Sequence, residues 1–132
     1  MRIYLSLQYH PDQRNRPWIE EISTLLNEMG HETFCPARDI QDWGGVRLSP
    51  AEFMQRVFAE IAASDVLLID LTEKGVGIGI EAGFAHTKKI PVFTVAQSGC
   101  DISRTLQGIS DKIYWYAGPA DLRRFFDQVF SK

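Results

Sequence analysis

One carboxylate, Glu81, follows a glycine-rich stretch directly and stands among apolar and small residues, in the segment 75–85 with the sequence GVGIGIEAGFA. A carboxylate in such surroundings is costly to bury unless it has a partner or a chemical role. Glycines let backbone N–H groups approach a ligand closely, and the N-terminus of a helix favours anions. The segment therefore predicts a phosphate-sized pocket beside a reactive glutamate.

Two interpretations of Glu81 stay open from spacing alone. Its neighbours on the same helical face are Ile78, Ala82 and Ala85. Those apolar neighbours favour a nucleophile or a general base at this position. A carboxylate near a helix start can equally be held by the helix dipole or point to solvent.

The glycines Gly75, Gly77 and Gly79 are candidates to bind a phosphate or a sugar. We expect them to form a tight turn over 75–79 before the helix. They do not complete G-x-G-x-x-G, because position 82 is alanine, and no G-K-S/T follows them. A dinucleotide fingerprint and a phosphate-binding P-loop are therefore both disfavoured.

Further candidate residues lie in two polar connections. Tyr9 and Arg14, in the loop 8–16, are candidates for contact with a base or a phosphate. Trp43 lies in the connection 36–48, which has the length of a lid. The histidines show no metal-ligand spacing and no G-x-S-x-G elbow occurs, so we expect neither a metal nor serine-hydrolase chemistry.

Alternating strand and helix patterns predict the scaffold that positions these residues. Strands are expected at 3–7, 32–35, 65–71, 90–95 and 112–116, and helices at 17–30, 49–63, 101–107 and 122–130 as well as around Glu81. The pattern predicts an α/β fold, a flavodoxin- or Rossmann-like doubly wound five-stranded parallel sheet of order 2-1-3-4-5 with helices on both faces. Ligands then bind outside the carboxyl ends of strands one and three, beside the loops 8–16 and 72–79.

The composition of the chain limits the classes of function that it can have. The 132 residues fit a single domain, 1–132, and the net charge of -3 without blocks of like charge disfavours a nucleic-acid or membrane surface. No apolar run approaches the length of a membrane span. Cys35 and Cys100 form no C-x-x-C pair and indicate reduced thiols in a cytoplasmic protein.

Three segments resemble the nucleoside 2-deoxyribosyltransferase superfamily, and within it more closely the 2'-deoxynucleoside 5'-phosphate N-hydrolases. The segments are 3–30, with a strand, a polar loop and a helix; 65–85, with the element GIGIEAG around Glu81; and the C-terminal part with QSG at 97–99, Ser103 and IYWY at 113–116. The likeness spans most of the chain.

The resemblance implies cleavage of an N-glycosidic bond, by hydrolysis or transfer, in a nucleoside or nucleoside 5'-monophosphate. Glu81 matches the glutamate that attacks the anomeric carbon in this family and forms a glycosyl-enzyme intermediate. Ser103 matches a serine that reaches the substrate phosphate of a neighbouring subunit in the hydrolase branch. The resemblance thus implies a homodimer with the active site completed across the interface, without a cofactor or a nucleic-acid polymer.

The chain departs from the family pattern at two positions. Val57 stands where the family usually has an aspartate, and Gly75 stands where the family commonly has Asp or Ser. Four carboxylates are candidates to replace the missing one, and spacing selects none of them: Asp39, Asp42, Asp70 and Glu73. We predict Asp70 with Glu81 as the catalytic pair.

Two other functions stay open at this point. One is a non-catalytic nucleotide-sensing module on the same fold, which the missing aspartate favours. The other is an NAD-cleaving domain of the Toll/interleukin-receptor type, because those domains also use a lone glutamate in a flavodoxin-like fold.

Overall fold

The computed structural model describes residues 1–130. The strands are β1 Arg2–Leu7, β2 Glu32–Phe34, β3 Val66–Asp70, β4 Val92–Gln97 and β5 Lys112–Tyr116. The helices are α1 Arg16–Glu28, α2 Pro36–Asp39, α3 Pro50–Ala62, α4 Val76–Thr87, α5 Arg104–Ile109 and α6 Pro119–Phe130, with a 3-10 helix at Asp42–Gly44. The expected single domain 1–132 stays a prediction, and its last two residues lie outside the described residues.

The sheet has the predicted topology. All its strand pairs are parallel, and the order is β2-β1-β3-β4-β5. The strand order reverses between β1 and β3, whose register pairs Ser6 with Ile69 and Leu7 with Asp70. The prediction of a doubly wound flavodoxin-like fold is confirmed.

Two apolar cores cover the two faces of the sheet. Side chains alternate along β3, so that Leu68 packs with Ile22 and Phe126 from α1 and α6, on what we call the α1/α6 face. Leu67 packs with Ala82 of α4 and the other helices of the opposite side, on what we call the α3/α4 face. All of β3 is buried, as its nearly continuous apolar sequence predicts for a central parallel strand.

The start of α3 follows the predicted capping pattern. The Ser49 side chain accepts a hydrogen bond from the Glu52 backbone N–H at 3.2 Å, and Pro50 occupies the first helical position. The Ser49 hydroxyl donates to Glu52 Oε1 at 2.7 Å. These bonds satisfy a backbone donor that would otherwise lack a partner at the helix start.

The predicted glycine turn over 75–79 is wrong in its extent. Helix α4 begins at Val76, so Gly75 is the extended residue before the helix, while Gly77 and Gly79 are helical. A glycine inside a helix costs about 1 kcal/mol relative to alanine. The buried side of α4, with Ile78, Ala82 and Ala85, packs on the sheet, and this tertiary contact outweighs the weak helical propensity of the glycines.

The connection 36–48 is more ordered than a simple loop. It contains α2 and the 3-10 helix, and three successive residues, Asp42, Trp43 and Gly44, have positive φ angles of 45°, 56° and 103°. Positive φ is unfavourable for the two residues that carry a Cβ. The surrounding contacts therefore hold this segment in a backbone shape that it would not adopt alone.

Candidate active site

Glu81 is a buried carboxylate with two hydroxyl partners. It projects from α4 toward β1 and is 9% exposed. The Ser6 hydroxyl donates to Glu81 Oε1 at 2.9 Å, and the Tyr4 hydroxyl donates to Glu81 Oε2. Each carboxylate oxygen accepts one hydrogen bond and keeps a free lone pair, so the group is oriented and still able to react.

Strand β1 supplies both donors because of its geometry. Tyr4 and Ser6 are two residues apart and therefore point to the same side of the sheet, the α3/α4 face. Both are buried. In a central parallel strand such positions are normally apolar, so two hydroxyls on one face are the sequence signal for this site.

Burial dominates the electrostatics of Glu81. Removal from water raises the pKa of this carboxyl above the ordinary value of 4.5, while the hydrogen bonds from Tyr4 and Ser6 lower it in part. Burial of the Tyr4 hydroxyl raises its pKa, and the nearby negative charge of Glu81 raises it further. Tyr4 therefore keeps its proton and acts as a donor to the carboxylate.

Glu81 lines a cavity of about 160 Å³ on the α3/α4 face, here called the Glu81 cavity. Its polar lining consists of Ser6, Gln8, Tyr9, Gln41 and Glu81. Its other lining residues are Leu5, Leu7, Cys35, Pro36, Ala37, Phe53, Met54, Val57, Gly77 and Ile78. The cavity opens at the carboxyl end of β1, where this fold class places its ligands.

The connection 36–48 borders the cavity, but Trp43 does not line it. Trp43 instead joins the connection 36–48 to the loop 8–16. Its carbonyl accepts from the Tyr9 hydroxyl at 3.2 Å and from Gln13 Nε2 at 3.3 Å. The Arg16 guanidinium lies 4.4 Å from the centroid of the Trp43 ring, and the Tyr9 ring centroid is 5.8 Å away. Of these two predicted candidates, Tyr9 lines the cavity, and Trp43 lies outside the lining and accepts a hydrogen bond from Tyr9.

Arg14 lies apart from the Glu81 cavity. Its side chain is exposed, its Nη2 is 2.9 Å from His10 Nδ1, and its Nε is 3.7 Å from Asp12 Oδ1. His10 in turn contacts Glu73 at 2.7 Å. In this arrangement Arg14 belongs to a surface ion-pair group rather than to the cavity lining.

Ser103 and two of the predicted glycines lie around a separate, open cavity of about 430 Å³ at the start of α4. Gly75, Gly79 and Ser103 line it together with Lys74, and the Ser103 hydroxyl is 3.2 Å from Thr105 Oγ1. Gly77 lines the Glu81 cavity instead. The predicted phosphate-binding residues thus divide between two cavities on either side of the α4 N-terminus.

Packing does not require glycine at Gly75, Gly77 or Gly79. A Cβ at Gly75 would meet Oε1 of Gln8, the far end of a flexible side chain that can move aside. A Cβ at Gly77 or Gly79 would meet no neighbour within 4 Å.

Asp70 is not brought together with Glu81. It ends β3 on the opposite side of the sheet, where its carboxylate is 6% exposed and lines a second cavity of about 200 Å³. Oδ2 accepts from Trp18 Nε1 at 2.9 Å and from the Tyr116 hydroxyl at 2.7 Å. Oδ1 accepts from the backbone N–H and the hydroxyl of Thr72, at 3.0 and 2.6 Å. With these four hydrogen bonds, the Asp70 carboxylate joins β3 to α1 and β5.

The other three candidate carboxylates also lie outside the Glu81 cavity. Asp39 accepts from the Cys35 backbone N–H at 2.9 Å and pairs with Arg38, and Glu73 pairs with His10. Asp42 lies in the connection 36–48, in the stretch of residues with positive φ angles. Within residues 1–130, Glu81 is the only carboxylate in the cavity lining.

No group of three or more His, Cys, Asp or Glu side chains between residues 1 and 130 is placed to hold a metal ion. None of the helices described has the length and apolar character needed to cross a bilayer.

Several residues that line the cavity or bind Glu81 are not among the sequence predictions. Tyr4 and Ser6 bind Glu81, and the signal for them is a pair of hydroxyl residues at alternate positions of the apolar strand β1. Phe53, Met54 and Cys35 reach the cavity from α3 and from the end of β2. Their contribution depends on how α3 lies against the sheet, which periodicity does not specify.

Comparison with known proteins supports the fold. No protein-family model and no curated protein matches the chain. Among solved structures, a 2-deoxyribosyltransferase from Bacillus psychrosaccharolyticus is similar with a TM-score of 0.72 and 19% identity, over 93% of this chain and 90% of that one. A CMP N-glycosidase from Clostridium botulinum is similar with a TM-score of 0.70 and 19% identity, over 97% of this chain and 99% of the other.

A conserved protein from Enterococcus faecalis is also similar, with a TM-score of 0.74 and 14% identity, over 97% of this chain and 98% of its own. These likenesses show that the chain shares its fold with a 2-deoxyribosyltransferase and with a CMP N-glycosidase, as the sequence resemblance predicts. At these identities the reaction of this chain has to be argued from its own site.

Proposed function

We propose that this protein cleaves the N-glycosidic bond of a nucleoside or nucleoside 5'-monophosphate, by hydrolysis or transfer, with Glu81 as the nucleophile. One observation carries the proposal: a buried carboxylate, oriented by two hydroxyls and with a raised pKa, lines a cavity at the ligand-binding edge of the sheet. Structural likeness to a deoxyribosyltransferase and an N-glycosidase supports the same reaction class.

The attacking atom is Oε1 of Glu81. Ser6, its hydrogen-bond partner, lines the cavity, whereas Tyr4, the partner of Oε2, does not. Oε1 attacks the anomeric carbon, the bond to the base breaks, and its electron pair leaves with the base. Water or a second acceptor then attacks the same carbon and releases Glu81.

Recognition of a 5'-phosphate belongs to the start of α4. The first backbone N–H groups of this 12-residue helix have no intrahelical acceptor, and Gly77 lies at the cavity wall. Lys74 and Ser103 stand on the other side of the same helix start. We infer that a phosphate enters from the Gly77 side in one chain, with Tyr9 beside the base or sugar.

A homodimer remains part of the proposal, because Ser103 does not reach the Glu81 cavity of its own chain. Val76 and Ile80 on α4 are 84% and 47% exposed and offer an apolar surface for a second copy. Sedimentation velocity would test the dimer, and Ser103→Ala should raise KM for a monophosphate without changing KM for the nucleoside. The cytoplasmic location is likewise a prediction.

The central experiment is a panel of nucleosides and 5'-monophosphates, in ribose and deoxyribose forms, with free base measured by chromatography. Glu81→Gln should abolish base release, because an amide oxygen is a poor nucleophile. Glu21→Gln, an exposed change of the same kind on α1, should leave it intact. The proposal fails if no member releases base or if Glu81→Gln releases it at the parent rate.

A non-catalytic nucleotide-sensing module is the second candidate. The lone carboxylate in the cavity lining, across the residues that the structure describes, favours it. Calorimetric binding of a panel member, with no turnover during long incubation, would select this function. Turnover that depends on Glu81 would exclude it.

A further inference from the structure

The Glu81 cavity holds one acidic group without a counter-charge. No Lys, Arg or His is among its lining residues within the described chain, and the partners of Glu81 are the neutral hydroxyls of Tyr4 and Ser6. An ionised carboxylate that lacks a cationic partner is expensive to bury. A ligand that brings a positive charge into the cavity would supply the missing partner.

Among the described residues, no side chain of the lining is placed as a free acid to protonate a leaving base. Gln8 and Gln41 offer amides, which do not give up protons. The Ser6 hydroxyl is committed to Glu81, and the Tyr9 hydroxyl donates to the Trp43 carbonyl at 3.2 Å. Burial raises the pKa of the Cys35 thiol to about 11, so this group is a weak proton donor. A neutral base would have to depart as an anion, whereas a cationic base departs neutral without receiving a proton.

The size and the wall of the cavity restrict the leaving group further. Its volume of about 160 Å³ is close to that of an engineered cavity of ~150 Å³ that accepts benzene, so one six-membered ring fills it and a larger base has to extend through the opening. Phe53 and Met54 are half-buried and line the cavity. An aromatic ring attracts a cation, and a thioether packs well against aromatic rings.

We propose that, if the N-glycosidic cleavage proposed above holds, the preferred substrates are N-glycosides whose leaving group is a single cationic ring, such as a pyridinium or an N-alkylated pyrimidine. Glu81 Oε1 forms a bond to the anomeric carbon while the carbon–nitrogen bond breaks. Both electrons of the broken bond go to the ring nitrogen and cancel its positive charge. Water then attacks the anomeric carbon, Glu81 leaves as carboxylate, and one proton passes to solvent.

Matched substrate pairs test the proposal. N3-methylcytidine and cytidine differ by one methyl group and one positive charge, and nicotinamide riboside and its dihydro form differ by charge at nearly equal size. We expect kcat/KM at least 100-fold higher for the charged member of each pair, after subtraction of the rate with Glu81→Gln. 7-Methylguanosine, a cation with two rings, should be cleaved more slowly than N3-methylcytidine.

The possible outcomes separate this proposal from the proposed function. Cleavage of cytidine at the rate of N3-methylcytidine, still dependent on Glu81, overturns the cationic preference and leaves N-glycosidic cleavage standing. Cleavage of 7-methylguanosine at the rate of N3-methylcytidine overturns the one-ring restriction. The absence of cleavage from every charged and neutral substrate overturns both proposals.

A binding measurement gives a readout without turnover. N1-methylnicotinamide is a cationic ring with no glycosidic bond, and nicotinamide is its neutral counterpart. We expect the cation to bind at least tenfold more tightly, and this preference to disappear in Glu81→Gln while thermal unfolding shows that the variant is folded. Equal affinity of the two rings for the parent protein would overturn the electrostatic basis of the proposal.

Discussion

Asp70 and Glu81 face opposite sides of the same β-sheet. Asp70 pairs in register with Leu7 and points to the α1/α6 face, whereas Glu81 accepts from Ser6, the preceding residue of β1, on the other face. Adjacent residues of a strand point in opposite directions, so the sheet itself separates the two carboxylates. Asp70 therefore holds β3 to its neighbours on one face, and Glu81, the proposed nucleophile, lies on the other face.

Asp70→Asn should therefore affect stability far more than chemistry. An amide can accept at one atom only, so at least one buried donor among Trp18, Tyr116 and Thr72 would lose its acceptor. We expect a loss of about 2–4 kcal/mol in urea unfolding, against no measurable loss for the exposed Asp101→Asn. Unchanged stability with base release reduced more than 100-fold would instead make Asp70 a catalytic residue.

Tyr4→Phe should weaken catalysis through Glu81. A hydrogen bond to a charged group contributes about 1.5–3 kcal/mol, which corresponds to a 10- to 150-fold loss in kcat/KM if the bond supports the reacting carboxylate. The Tyr4 bond lowers the pKa of Glu81, so its removal should move the acid limb of the pH–rate profile to higher pH. Tyr114→Phe, which removes a hydroxyl bound to Asp121, is the control. An acid limb at the parent position would contradict the role of Tyr4.

Glu81→Gln should stabilise the protein at high pH and not at low pH. Burial raises the pKa of Glu81 above 4.5, so the folded state binds a proton more tightly than the unfolded state. The stability that this contributes is complete below pH 4.5 and is lost as pH rises through the pKa of the folded state. A glutamine at this position cannot ionise, so the variant does not lose this stability as pH rises. We expect its Tm at pH 8 to exceed that of the parent by about 4 °C, which corresponds to a free energy of unfolding on the order of 1 kcal/mol higher.

The same comparison at pH 4 is the internal control, because the difference between the two Tm values should vanish there. Glu21→Gln, on the exposed face of α1, should follow the parent at both pH values. A variant that is less stable than the parent at pH 8 would show that ionised Glu81 stabilises the fold.

Two glycine substitutions in α4 form a matched pair. Gly77 and Gly79 are both helical, and a Cβ at either meets no neighbour within 4 Å. Alanine at either position should therefore raise stability by about 0.5–1 kcal/mol. Only Gly77 lines the Glu81 cavity, so Gly77→Ala should raise KM and Gly79→Ala should not. Equal KM values for the two variants would remove Gly77 from the binding site.

The topology was accessible from the sequence because periodicity and strand order follow simple rules. The buried run 65–71 and the helical stripes predicted the central strand and its covering helices, and the order 2-1-3-4-5 placed Glu81 at the correct edge. The start of α4 was not accessible, since glycines predict a turn and only burial of Ile78 and Ala82 against the sheet makes the segment helical.

The details of the site depended on side-chain direction. Asp70 closes an apolar strand beside the predicted site, and only the register with β1 shows that it faces away from Glu81. Tyr4 and Ser6 carried a visible signal, as hydroxyls at alternate positions of a buried strand. Their partner lies 75 or more residues further along the chain, and no local pattern connects the two.

Because of that separation, the surroundings of Glu81 exist only in the folded chain. In an extended chain Glu81 is an ordinary carboxylate in water, and Tyr4 and Ser6 are remote hydroxyls. During synthesis the site can form only after α4 has left the ribosome and docked on β1. Under the proposed cleavage, base release would also report the contact between β1 and α4, and a partly folded intermediate that lacks this contact should release no base.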